Sequence, residues 1–387
     1  MKIIVCGGDG FCGWPTSLHL ASLGHEVLII DNLSRRNIDN QLSSGSLTSI
    51  SSIVERIDAA NEYFPGLLKF ENIDIAYEAE KLKALLAEEK PDAVVQFAEQ
   101  RAAPYSMLGD KERRYTVDNN ITGTHNLCSA IVETDPKIHL VHLGTMGVYG
   151  YSKEFGSIPE GYLSIKINST GEDASILYPA NPGSVYHMSK CLDQLIFQFY
   201  SKNWNLQITD LHQGIVWGVD TNETSLDTRL INRFDYDGIY GTVLNRFISQ
   251  AANGVPLTVY GEGGQRRAFI HISDTARCIA LAIQHPPESS NKVRIFNQVA
   301  EVKSVAELAQ TVSKLFHTEV QFLPNPRKEL AANDLEVSNV GLRALGFEPI
   351  KLDDSLIRDV KIISDATKTK FNAANVVNLS LIHISEP

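Results

Sequence analysis

Tyr186 and Lys190 stand four residues apart in the run Ser184-Val-Tyr-His-Met-Ser-Lys190, with His187 directly after the tyrosine. Residues four apart share one face of a helix, so the phenol and the ammonium address the same space. A nearby ammonium favours the phenolate and draws a tyrosine pKa down from about 10 towards neutrality. A residue that is ordinarily a poor base then becomes a general base. The same residues also suit an amphipathic helix with an interfacial tyrosine and a solvated lysine, so their surroundings must decide.

A second group of residues has the chemistry of a phosphate cradle. The run Cys6-Gly-Gly-Asp-Gly-Phe-Cys-Gly13 places Gly7, Gly10 and Gly13 three apart between an apolar strand pattern and a helical one, with Phe11 and Cys12 in the turn. Glycines let the backbone approach a pyrophosphate, and a helix N-terminus stabilises its charge. The next strand pattern ends in Ile29-Ile-Asp-Asn32, so Asp31 can hydrogen-bond an adenosine ribose. Asp31 would repel a 2′-phosphate and favours NAD over NADP, while Arg35 and Arg36 pull the other way. Asp74 and Ile75, closing the third strand pattern, are candidates for the adenine end. Thr145 follows the strand pattern His139-Leu-Val-His-Leu143 and puts a hydroxyl at the crevice where parallel sheets bind ligands.

The elements that must position these groups are legible as an alternation. Strand patterns at Lys2–Cys6, Glu26–Ile30, Lys69–Ile75, Asp92–Phe97, His139–Leu143 and Gln207–His212 are separated by helical patterns near 13–23, 78–89, 115–132 and 186–204. Strands spaced by helices of this length predict βαβ units and a parallel sheet. The fold class is therefore α/β, a Rossmann-type doubly wound sheet over 1–212, with a smaller C-terminal substrate-binding domain mainly in 213–370. A break in the pattern at 151–180 predicts a hairpin insertion. Residues 379–387, Leu-Ser-Leu-Ile-His-Ile-Ser-Glu-Pro, read as a translated sequencing adapter and are set aside as a non-native tail.

Composition narrows the partners. The 387 residues carry 35 basic and 46 acidic side chains, a formal charge of −11, which argues against nonspecific nucleic-acid binding. Phosphate must then be held by local arginines and helix N-termini. The five cysteines form no Cys-x-x-Cys pair and read as reduced packing residues. No apolar run approaches a membrane span, and the first residues read directly as a strand, so a cytoplasmic protein without a leader is expected. No pattern of metal ligands stands out.

Taken together, the glycine-rich turn, Asp31, Thr145 and the Tyr186/Lys190 helix resemble the extended short-chain dehydrogenase/reductase family. The resemblance implies that Tyr186 takes a hydroxyl proton as hydride leaves for NAD, that Lys190 binds the nicotinamide ribose, and that Thr145 holds the reacting oxygen. It adds Asn119, in Val117-Asp-Asn-Asn-Ile-Thr-Gly123, and Gln213 to the cofactor set. Gly241–Arg246 and Val259–Arg267 resemble the segments with which nucleotide-sugar members hold a UDP diphosphate. Asn245, Arg267 and Arg327 are the implied phosphate ligands, with Tyr260 near the uridine and Arg101 and Gln213 near the sugar.

The runs Glu99-Gln-Arg-Ala-Ala-Pro-Tyr-Ser-Met107 and Leu143-Gly-Thr-Met-Gly147 narrow the likeness to members that make a sulfonated sugar nucleotide from UDP-glucose and sulfite. In 4,6-dehydratases of this fold two carboxylates follow the threonine; here Met146 and Gly147 stand there and can do neither proton transfer. His187 is the alternative acid/base implied, or else a packed helix residue. Where this group is expected to have Glu, the chain has Val148. A homodimer is expected. The nearest alternative is a UDP-sugar 4-epimerase that ignores sulfite; a non-catalytic NAD sensor is a third.

Overall fold

A computed structural model describes residues 1–150, 156–288, 292–324 and 333–377. Its centre is a seven-stranded, wholly parallel sheet: β1 (Lys2–Cys6), β2 (Glu26–Asp31), β3 (Leu68–Asn72), β4 (Ala93–Gln96), β5 (His139–Thr145), β6 (Ile208–Gln213) and β7 (Arg294–Gln298). The spatial order is β7-β6-β5-β4-β1-β2-β3. Ile3, Ile4, Val5 and Val94, Val95 are fully buried because helices cover both faces, which is why these strands read as unbroken apolar runs. Strand order reverses between β1 and β4. There the flanking loops part and leave a crevice at the strands' carboxyl ends, the ligand position of doubly wound sheets.

The boundary expected at 212/213 is crossed twice. The helix Ile272–Gln284 packs on helix α1 (Gly13–Ser22), and β7 adds to the main sheet beside β6. The chain after β6 therefore leaves the sheet, builds part of a second lobe, and returns. That lobe gathers the helices Val243–Ala252, Val305–Phe316 and Asp354–Ala366 around Phe247, Ile248, Leu308 and Val360. The expected insertion contains an antiparallel hairpin, Tyr162–Lys166 with Asp173–Leu177. Residues 379–387 lie outside the described residues. Among the described residues no helix is long and apolar enough to cross a membrane.

Candidate functional site

The glycine-rich turn is dictated by space. Gly7 has φ +79°, and a Cβ there would stand 2.6 Å from the backbone of Phe97 and Ala98 at the end of β4. A Cβ on Gly13 would overlap the Gly7 carbonyl. These two glycines let β1, β4 and α1 converge on one point. The N-terminus of α1 has no side-chain cap and no acidic residue in its first turn. Trp14 N–H donates to the Gly10 carbonyl at 3.0 Å and Pro15 has no N–H, so a phosphate here would be met by the Cys12 and Gly13 N–H groups of the turn. Gly7, Gly10, Phe11, Cys12 and Gly13 line a chamber of about 1040 Å³. Asp31, Asn32, Arg35, Asp74, Ile75, Asn119, Tyr186, Lys190 and Gln213 line it too. The donor set, the bare glycines and an acidic side chain at the end of β2 fit a dinucleotide.

Asp31 accepts from the Asp9 and Leu33 N–H groups at 3.0 and 2.7 Å. Burial, with the Asp9 charge behind it, raises its carboxyl to about 6. Arg36 does not line the chamber. It donates to the Asp9 carboxylate at 2.6 and 2.8 Å and buttresses the turn from behind together with Arg56. Asp74 also holds its own loop, accepting from the Asn32 side chain and the Ala76 N–H. Asn119 sits in a π-helical turn, Asp118–Thr122, a local widening often found where a helix serves a site.

The reaction centre lies where β5 meets helix α2 (Val185–Trp204). Ser184 caps that helix, its hydroxyl accepting from the His187 N–H at 3.1 Å, which fixes where the first turn points. The Thr145 hydroxyl lies near enough to the Tyr186 phenol to help stabilise its anion. Burial pushes the phenol above its ordinary pKa, and Lys190 offsets only part of the shift. The expected fall towards neutrality is thus not a property of the protein alone, and the reason is at Lys190. Its ammonium meets Glu99 at 2.7 Å and donates to the Leu143 carbonyl at 2.8 Å, so its charge is shared.

Sequence reasoning missed this inner network. His142 of β5 lies 2.9 Å from Glu99, 3.0 Å from Lys190 and 2.8 Å from Asp210. Asp210 also contacts His212, which reaches the Tyr149 hydroxyl at 2.6 Å. Burial and Lys190 push the His142 imidazole down, but Asp210 and Glu99 win and raise it to about 9. Asp193, 4.0 Å from Lys190, is raised to about 8 by burial and by the Glu99 charge. Glu99, His142 and Asp193 are close enough to hold a cation, and the Lys190 ammonium stands among them. The available signal was the pair of histidines spaced three apart within an otherwise apolar β5.

A second chamber, about 1480 Å³, joins the first at Phe11, Cys12, Arg101, Gly144, Tyr186, Gln213 and Tyr240. Thr145, His187, Tyr260 and Arg267 line it. Asn245 does not. Its side chain accepts from the Gly218 N–H and donates to the Gly218 carbonyl, stitching the Val243–Ala252 helix to the strand before it. The next residue, Arg246, faces the chamber instead. Arg327 lies outside the described residues. Val148 is buried among Met146, Tyr149, Ile158 and Tyr178, so a carboxylate at that position would enter an apolar cluster here. The Tyr105 ring packs between Tyr115 and Tyr240, and Tyr105 does not appear among the residues lining either chamber.

The chain belongs to the NAD dependent epimerase/dehydratase family, whose model matches residues 3–297, and it is an NAD enzyme of the short-chain dehydrogenase/reductase type. Within that family it groups with the UDP-sulfoquinovose synthases. It is 43% identical to the chloroplastic enzyme of Spinacia oleracea over 93% of this chain and 74% of that one. It is 39% identical to the enzyme of Sulfolobus acidocaldarius over 94% of this chain and 91% of that one. The fold is shared more widely. A Thermotoga maritima UDP-glucose 4-epimerase, solved with UDP-glucose, superposes with TM-score 0.69 at 20% identity over 95% of this chain and 99% of that one. A Bacillus anthracis dTDP-glucose 4,6-dehydratase, solved with NAD, gives 0.69 at 17% identity over 96% and 98%.

Proposed function

We propose that the chain converts UDP-glucose and sulfite to UDP-6-sulfoquinovose through a 4-keto-5,6-ene sugar. The observation that carries this reading is His187 in the substrate chamber beside Tyr186, at a site where Met146 and Gly147 supply no carboxylate. Bound NAD supplies the hydride acceptor at the start and the donor at the end. Tyr186 Oη moves the proton of the sugar C4 hydroxyl, and Thr145 Oγ1 holds the same oxygen. Lys190 holds the nicotinamide ribose and offsets part of the phenol's burial.

The 4-ketone acidifies C5, and the His187 imidazole takes that proton. The 6-hydroxyl leaves as water when the imidazolium returns a proton to it. Bisulfite sulfur then bonds to C6, the C5–C6 π pair becomes a C5–H bond, and reduction at C4 closes a redox-neutral cycle. Arg246, Arg267 and Tyr260 serve the UDP end, and Arg101 and Gln213 the sugar. Arg327 completes the set in this reading. Met188, Leu195 and Phe199 share one face of α2 and are 38–58% exposed, and that face supports pairing with a second copy as a homodimer.

Incubation with UDP-glucose and sulfite, with nucleotide sugars read by mass, tests the function directly. A sulfonated UDP-hexose is expected. UDP-galactose alone, indifferent to sulfite, would instead establish a 4-epimerase.

A further inference from the structure

Gly147 is buried, and its φ lies outside the left-handed region. Nothing in the backbone at this point requires glycine. Space does. A Cβ built on Gly147 would overlap the His187 ring at Cδ2 and Nε2 and stand 3.0 Å from its Cγ. The His187 ring therefore occupies the place where every other residue type has its first side-chain carbon. Its position is fixed from three sides. Ser184 caps the turn that carries it, the Tyr186 ring lies 5.3 Å away centre to centre, and Gly147 is its floor. The Gly147 N–H in turn donates to the Thr145 hydroxyl at 3.1 Å, so the floor is tied to the residue that holds the reacting oxygen. By contrast, Gly150 in the same turn has φ +72°, and its glycine is a backbone requirement.

We infer that Gly147 is the specificity-determining residue of this site: the missing side chain seats the His187 imidazole on the substrate chamber and so commits the oxidised sugar to elimination across C5–C6. This inference rests on the proposed function for its chemistry but not for its packing. A side chain at 147 and the imidazole at its present position exclude one another. A chain of this fold with any other residue there must do its proton transfer at C5 with a different group.

The test is a double-mutant cycle of Gly147→Ala and His187→Ala, with two readouts. The first is thermal unfolding of the NAD-bound protein. Gly147→Ala should destabilise the parent and cost little in the His187→Ala background, where the ring is gone. An equal loss in both backgrounds, or a double variant that fails to fold alongside the single, overturns the inference, because the glycine would then serve the backbone. The second is exchange of the sugar C5 hydrogen with deuterated water during hydride transfer. A ring displaced by about 1 Å loses on the order of a hundredfold in its proton transfer. Gly147→Ala should show that loss, keep nicotinamide reduction by UDP-glucose, and lose nothing further when His187→Ala is added. Exchange at the parental rate in Gly147→Ala overturns it. A parent that never exchanges C5 would refute the function and leave the packing coupling to be read from unfolding.

Discussion

The phenol of Tyr186 and the imidazole of His187 sit one residue apart and divide the chemistry by where their rings point. Replacing Tyr186 with Phe keeps the ring and removes the proton carrier, so NAD and UDP-glucose should bind as before while turnover falls by about two to four orders of magnitude. Steady-state rates with binding measured by calorimetry check this, and near-normal turnover would remove Tyr186 from the role. Asp31 offers a pH-dependent counterpart. Its folded-state carboxyl is raised to about 6, so it is ionised above that pH and neutral below it. Ionised, it accepts from ribose hydroxyls and repels a 2′-phosphate. The ratio of NADP to NAD dissociation constants should therefore be largest above pH 7 and shrink as pH falls through about 6. A ratio flat from pH 5 to 8 would show that another group reads the ribose.

At the scale of elements, a helix turn decides which of two neighbours meets substrate. Asn245 and Arg246 are adjacent, and the roughly 100° between successive helical residues sends the amide to Gly218 and the guanidinium into the substrate chamber. Arg246→Ala and Arg267→Ala should each weaken UDP-glucose binding by about 1.5–3 kcal/mol, the size of a charge-assisted hydrogen bond. Asn245→Ala should instead lower the unfolding midpoint, because it leaves the Gly218 N–H and carbonyl without their partner. Calorimetric UDP titration beside thermal unfolding separates the two, and a purely thermal effect in both arginine variants would take them out of the site. The π-helical turn at Asp118–Thr122 makes the same point for Asn119: five residues in one widened turn face differently from five in an α-helix.

For the molecule as a whole, the buried cluster under Lys190 sets how stability depends on pH. His142 rises from an ordinary 6.5 to about 9 on folding, and Asp193 from 3.8 to about 8. Both bind a proton more tightly in the native than in the unfolded chain. The His142 contribution is fully present below pH 6.5 and is lost as pH rises through about 9, while Asp193 costs progressively more from pH 3.8 up to about 8. Stability should therefore fall between pH 6.5 and 9, at up to about 1.4 kcal/mol per pH unit for each proton held. Urea midpoints across that range check the sign, and His142→Gln should flatten the slope; midpoints that rise with pH would contradict the cluster. Little of this was legible beforehand. Local spacing fixes what a residue can do with neighbours on its own element, so Gly7–Gly13, Asp31, Thr145 and the Tyr186/Lys190 face could be read from the chain, and with them the parallel sheet. The sharing of the Lys190 charge joins Glu99 after β4, His142 on β5 and Asp210 on β6, strands adjacent in space but far apart in the chain. The choice of Arg246 over Asn245, the return of β7 to the first sheet and the seat of His187 on Gly147 are of the same kind. Each depends on which surfaces meet when elements distant in the chain pack together, and sequence periodicity carries the direction of a side chain but not the identity of what it meets.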